Sequence, residues 1–209
     1  MIQSRVSIRP AESFLGRKMG FQPCVVIPIY NHGNKIQKTI AELNRLELPI
    51  IIVDDGSDDD TRLVLRNVDA SEPLCSLVRH EENVGKGAAV RTGLELAHRS
   101  GFTHALQIDA DGQHNTADAA TMLDLAKSHQ DAVICAQPLF DGSISRGRLL
   151  ARSITHFWVA IETLTTDPVD TMCGFRVYPL LAVCELCSKT SVGNRMDFDI
   201  EVLVRLMWA

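Results

Sequence analysis

Short apolar runs alternate with amphipathic helical periods along most of the chain. Cys24–Ile29 (CVVIPI), Pro49–Val53, Leu74–Val78, Thr103–Ile108 and Ala132–Ala136 read as strands. Between them, Lys35–Leu46 places Ile36, Ile40, Leu43 and Leu46 on one helix face. Asp58–Val68 predicts a helix opened by acids, Gly85–Arg99 one entered through glycines, and Ala117–His129 a further helix. Continuous apolar strands separated by amphipathic helices predict an α/β fold in three layers, with a mostly parallel central sheet covered on both faces. Ligands of such sheets bind beyond the carboxyl ends of the strands. Those ends carry Tyr30-Asn31, Asp54-Asp55-Gly56-Ser57 and Asp109-Ala110-Asp111.

The flanks are less regular. Residues 1–22 show no clear period and are expected to form a flexible arm, with residues 23–209 as one domain. Leu150, Ile154, Phe157, Trp158, Ile161 and Leu164 recur at helical spacing after a polar loop, Asp141–Arg148. Cys173–Pro179 then reads as a strand and Asp197–Trp208 as a helix. The chain stops directly after that apolar helix, so the natural protein is expected to continue.

Composition narrows the function classes. A net charge of −5 argues against nucleic acid binding through bulk positive charge. No apolar run approaches the ~18–20 residues of a membrane-spanning helix, and no signal peptide opens the chain. The six cysteines sit mostly within apolar runs, as reduced buried thiols of a cytoplasmic protein do. Cys184 and Cys187 have CxxC spacing but lie in a helical pattern with no second pair.

The candidate chemistry gathers in a few segments. Asp109 and Asp111 follow a strand and can converge once the chain turns; hard carboxylate oxygens suit Mg2+ or Mn2+, which recruit phosphate oxygens as further ligands. Such a segment also serves as a polar turn. Asp54 and Asp55 can accept from a nucleobase or ribose, or cap a helix. Gly85-Lys86-Gly87 opens a helix whose N-terminus favours anions. Arg146, Arg148 and Arg152 form a basic cluster in an acidic chain. Asp197, Asp199 and Glu201 complement a helix dipole or supply a catalytic carboxylate.

In order, these segments are Pro28-Ile29-Tyr30-Asn31, Val53-Asp54-Asp55-Gly56-Ser57, Asn83-Val84-Gly85-Lys86-Gly87, Asp109-Ala110-Asp111-Gly112-Gln113-His114, Cys173-Gly174-Phe175-Arg176 and Asp197-Phe198-Asp199-Ile200-Glu201. The series resembles a family 2 glycosyltransferase of the GT-A fold, in the branch of dolichyl-phosphate mannose synthase. The resemblance implies an inverting sugar transfer from a UDP- or GDP-sugar, with Mg2+ or Mn2+ as cofactor. It implies donor contacts at Pro28, Tyr30, Asp54, Asp55, Gly85, Lys86, Asp109 and Asp111. It implies metal ligands at Asp109, Asp111 and Gln113. Arg176 matches the acceptor side, where Arg146, Arg148 and Arg152 would hold the phosphate of a polyprenyl-phosphate acceptor. A hydroxyl acceptor would need a base, for which Asp197 and Asp199 are the candidates. A lipid acceptor implies work at the inner membrane face, by peripheral contact. The competing reading is a catalytically silent nucleotide-sugar-binding module of a larger protein. The chain departs from the family's pattern at Asn115-Thr116, where proline is frequent.

Overall fold

In the structure, a computed structural model, residues 3–10, 20–139 and 173–208 are described. The strands are β1 (Gln3–Pro10), β2 (Pro23–Ile29), β3 (Ile50–Asp54), β4 (Cys75–Arg79), β5 (His104–Gln107), β6 (Ala132–Leu139) and β7 (Arg176–Pro179). The described helices are α1 (Gly33–Leu43), α2 (Asp59–Ser71), α3 (Lys86–Arg99), α4 (Asp118–Ser128), α5 (Leu180–Lys189) and α6 (Phe198–Trp208), with a short 3-10 turn at Asn44–Leu46.

The strands form one sheet in the order β1-β6-β7-β5-β2-β3-β4. The pairs β5/β2, β2/β3 and β3/β4 are parallel. β7 runs antiparallel between β5 and β6, and β1 runs antiparallel to β6 at the edge. Five strands therefore point one way and β1 and β7 oppose them. Pro28 is tolerated in central β2 because its ladder with β5 has already closed at Val26↔Gln107.

Alternation along the strands builds the two apolar layers. Val25, Ile27 and Ile29 of β2 pack with Ile36 and Ile40 of α1, Leu65 of α2 and Met122 of α4. Cys24 and Val26 face the other way, toward Val90 and Leu94 of α3, Val183 of α5 and Phe198 and Val202 of α6. The three-layer α/β arrangement expected from the pattern is thus present. The helices start where polar residues stop the strands: Asp58 caps α2 by accepting from Thr61 N at 2.8 Å.

The N-terminal segment departs from the expected flexible arm. Gln3–Pro10 pairs over its full length with Leu139–Ala132. Val6-Ser7-Ile8-Arg9 carries a two-residue alternation, the period of a strand. The expected helix at Leu150–Leu164 lies outside the described residues.

The packing gives a stability test on one helix. Leu65 is fully buried while Leu63, two residues earlier, is 61% exposed. Leu65→Ala should cost about 2–5 kcal/mol and Leu63→Ala less than about 0.5 kcal/mol. Equal losses in urea denaturation would contradict the packing of α2 on the sheet.

Candidate functional site

The carboxyl ends of β2, β3 and β5 open on one cleft of about 490 Å³. Pro28 and Ile29 end β2 and Tyr30 follows it, Asp55 follows β3, and Asp109, Ala110 and Asp111 follow β5. Gly85, Lys86 and Ala89 come from the start of α3, and Arg195 and Met196 from the loop before α6. Seven of the eight residues expected at a donor pocket therefore share one cavity.

Asp54 is the exception. Its carboxylate accepts from Ser57 N at 2.9 Å and from Arg79 Nη1 at 2.5 Å, and its side chain is 1% exposed. It holds the turn after β3 and does not line the cleft. Asp55 also supports the loops but reaches the cleft. Its oxygens accept from Val84 N at 3.0 Å, Gly85 N at 2.8 Å and His80 Nδ1 at 2.8 Å. This ties the end of β3 to the entry of α3.

Lys86 does not extend toward solvent. Its Nζ lies 2.8 and 2.9 Å from the two oxygens of Asp109 and 3.2 Å from Oδ2 of Asp199. Burial disfavours the ammonium, but the two carboxylates outweigh it and raise the Lys86 pKa. Gly174 permits this pair, because a Cβ there would stand 2.6 Å from Lys86 Nζ. Asp109 also faces His114, with Nε2 3.5 Å from Oδ2. Burial opposes ionisation of Asp109, yet His114 and Lys86 hold its carboxyl well below the usual range.

Asp111 is half-buried in the cleft, and its Oδ1 accepts from Gln113 N at 3.0 Å. Gln113 itself is exposed and does not line the cleft. Among the described residues, no three His, Cys, Asp or Glu side chains converge as a metal site. Two carboxylates with an open cavity before them still fit a hard cation that completes its shell with phosphate oxygens and water.

The expected acceptor and catalytic residues fare differently. Arg176 is fully buried in β7 and donates from Nη1 to Asp199 O at 2.5 Å and to Tyr178 Oη at 3.2 Å. It supports the first turn of α6 and is not among the residues that line the cleft. Asp199 is 2% exposed, and Gln107 Nε2 and Lys86 Nζ engage its carboxylate at 3.2 Å each. Asp197 is exposed and its Oδ1 accepts from Arg195 N at 3.0 Å. Neither is among the residues that line the cleft. Arg146, Arg148 and Arg152 lie outside the described residues.

Sequence reasoning missed Arg195, Met196 and Gln107. Arg195 and Met196 reach the cleft through a loop that docks on α3. Asn194 O accepts from Ala88 N at 3.0 Å, which occupies part of the helix N-terminus expected to receive an anion. Gly85, at φ +117, and Gly87 allow the approach: a Cβ would come within 2.4 Å of Asn194 O or 2.5 Å of the Phe198 Cβ.

With this geometry in place, the family relation is clear. The sequence profile of glycosyl transferase family 2 matches residues 24–181. The chain belongs to glycosyl transferase family 2. Similar proteins include a dolichyl-phosphate beta-glucosyltransferase of Dictyostelium discoideum, 26% identical over 86% of this chain and 60% of its own. A polyprenol monophosphomannose synthase of Mycolicibacterium smegmatis is 26% identical over 84% of this chain and 69% of its own. In Methanococcus voltae, a UDP-N-acetylglucosamine--dolichyl-phosphate N-acetylglucosaminyltransferase is 32% identical over 47% of this chain and 45% of its own. The chain thus spans about half to two thirds of the length of these relatives. The fold matches the mannosyltransferase PcManGT of Pyrobaculum calidifontis, solved with GDP-Man and Mn2+, at a TM-score of 0.50 and 18% identity, covering 88% of this chain and 51% of that one. Among the described residues, no helix is long and apolar enough to cross a membrane.

The Asp109 contacts predict a titration. Burial disfavours the imidazolium, but hydrogen bonds to Asp109 and Cys173 raise the His114 pKa to about 10. The folded value lies above the unfolded value of about 6.5, so this stabilisation is complete below pH ~6.5 and is lost as pH rises toward 10. The His114 ring resonances should titrate far above those of an exposed histidine, and Asp109→Asn should move them down. A midpoint near 6.5 in the unsubstituted protein would contradict the contact.

Proposed function

We propose that the chain is the catalytic domain of an inverting transferase. It moves a sugar from a nucleoside diphosphate sugar to a polyprenyl phosphate, with Mg2+ or Mn2+ bound at Asp109 and Asp111. The observation that carries this reading is the single cleft where Asp55, Lys86, Asp109 and Asp111 meet at the ends of three parallel strands.

The division of labour follows from the chemistry of each group. The remaining acceptor capacity of Asp55 suits a nucleobase N–H or ribose hydroxyl. Tyr30, 46% exposed at the rim, and Pro28 offer an apolar edge to the base. A divalent cation, when bound, neutralises charge on the leaving diphosphate. Asp109 and Asp111 would hold it, and Gln113, adjacent in sequence, would need to turn inward to join them. Lys86 keeps Asp109 ionised and aimed at the cleft. The acceptor phosphate oxygen then forms a bond to the anomeric carbon as the bond to the diphosphate oxygen breaks on the opposite face. A phosphate acceptor is already an anion and needs no strong general base, which agrees with the pairing of Asp109 and Asp199 to Lys86. The named substrates of the similar dolichyl- and polyprenol-linked enzymes support a lipid phosphate as acceptor and a membrane surface as the place of work.

Calorimetry with UDP and GDP should show binding that depends on Mg2+ or Mn2+, and Asp111→Ala should abolish the metal-dependent part. Polyprenyl phosphate should release nucleoside diphosphate from the matching sugar donor. Equal affinity with and without metal would remove the cation from the reading. Failure to bind any nucleoside diphosphate would remove the reading itself.

A further inference from the structure

The charges around the cleft are unequally committed. Asp55 accepts hydrogen bonds from two backbone N–H groups and from His80. Lys86 faces two carboxylates, Asp109 and Asp199, and adds no net positive charge to the cavity. Among the described lining residues, the remaining strong cation is Arg195, which is exposed and has no carboxylate partner among the described residues.

The position of Arg195 is built rather than incidental. Its backbone N–H donates to Asp197 Oδ1 at 3.0 Å, and the preceding Asn194 O accepts from Ala88 N at 3.0 Å. Gly193 N donates to Glu201 Oε2 at 2.7 Å, which ties the other side of the loop to α6. Gly85 stands beside the Arg195 stem, where a Cβ would meet its Cγ at 2.9 Å. The loop is therefore clamped between α3 and α6. Its arginine lines the same cleft as Asp109 and Asp111.

We propose that Arg195 is a phosphate-binding residue of the reacting centre, and that its guanidinium takes the phosphate oxygens which Lys86 is too fully paired to bind. The proposal rests on the transferase reading above. A planar guanidinium donates two parallel hydrogen bonds to one phosphate, so it fixes orientation as well as charge. The phosphate can belong to the donor diphosphate or to the polyprenyl phosphate acceptor, and the two sources separate experimentally.

The test compares the full chain with Arg195→Ala and Arg195→Lys, in saturating Mg2+, against nucleoside, nucleoside diphosphate and polyprenyl phosphate. Arg195 is exposed, so both variants should keep the thermal midpoint of the parent protein. Loss of a charge-assisted contact predicts a drop of roughly 10- to 100-fold in phosphate affinity. With the donor as source, Arg195→Ala loses affinity for the diphosphate, keeps it for the nucleoside, and is partly restored in Arg195→Lys. With the acceptor as source, diphosphate affinity is unchanged and the KM for polyprenyl phosphate rises by the same order. If the parent chain binds nucleoside diphosphate and Arg195→Ala alters neither quantity, the proposal is overturned while the transferase reading stands. If the parent chain binds no nucleoside diphosphate, both fall.

Discussion

The ammonium of Lys86 lies between the carboxylates of Asp109 and Asp199, and three elements meet through it. Lys86 begins α3, Asp109 follows β5, and Asp199 sits in the first turn of α6. Charges this poorly hydrated are costly unless each has a partner. The surroundings supply those partners: Gln107 binds Asp199, Arg176 holds the backbone beneath it, and His114 faces the far side of Asp109. Withdrawing one member would strand a buried charge, so the cluster fixes the relative placement of a strand end and two helix starts. The cleft walls inherit that rigidity.

The sheet explains why the cluster stands where it does. Parallel strands deliver their carboxyl ends to one edge, and the return of each helix leaves the connecting loops gathered there. β3 contributes two adjacent aspartates with different fates. Asp54 turns inward to bind Arg79 and the turn at Ser57, while Asp55 reaches the cleft and anchors the entry of α3. On the far side, the loop before α6 packs its backbone against Gly85 and Gly87. That contact takes up hydrogen-bonding capacity at the start of α3 and brings Arg195 to the cleft that the strand-end carboxylates line. An anion entering this cavity therefore meets an arginine on the loop rather than a bare helix terminus.

Most of the secondary structure was legible in the order of residues, because burial on both faces leaves an unbroken apolar run and burial on one face leaves a helical period. The same logic located the acidic strand ends and so most of the cleft. It failed at β1, whose short alternation between arginines carries too little apolar signal to be distinguished from a tail. It did not foresee the burial of Arg176 and Asp199. A charged side chain beside a family-like motif reads as a ligand contact, yet both are buried and bound to each other's elements.

What the sequence by itself determined is the layered α/β architecture, the family to which the chain belongs, and the set of polar residues delivered to one sheet edge. These follow from local periodicity and from the spacing of residues a few positions apart. Only the tertiary structure decided which member of each polar set faces the cavity and which supports it. That choice separates Asp55 from Asp54, commits Lys86 to carboxylates 23 and 113 residues away in the chain, and brings Arg195 to the site. The physical reason is that a charge is committed by the nearest opposite charge in space. No period along the chain records that neighbour.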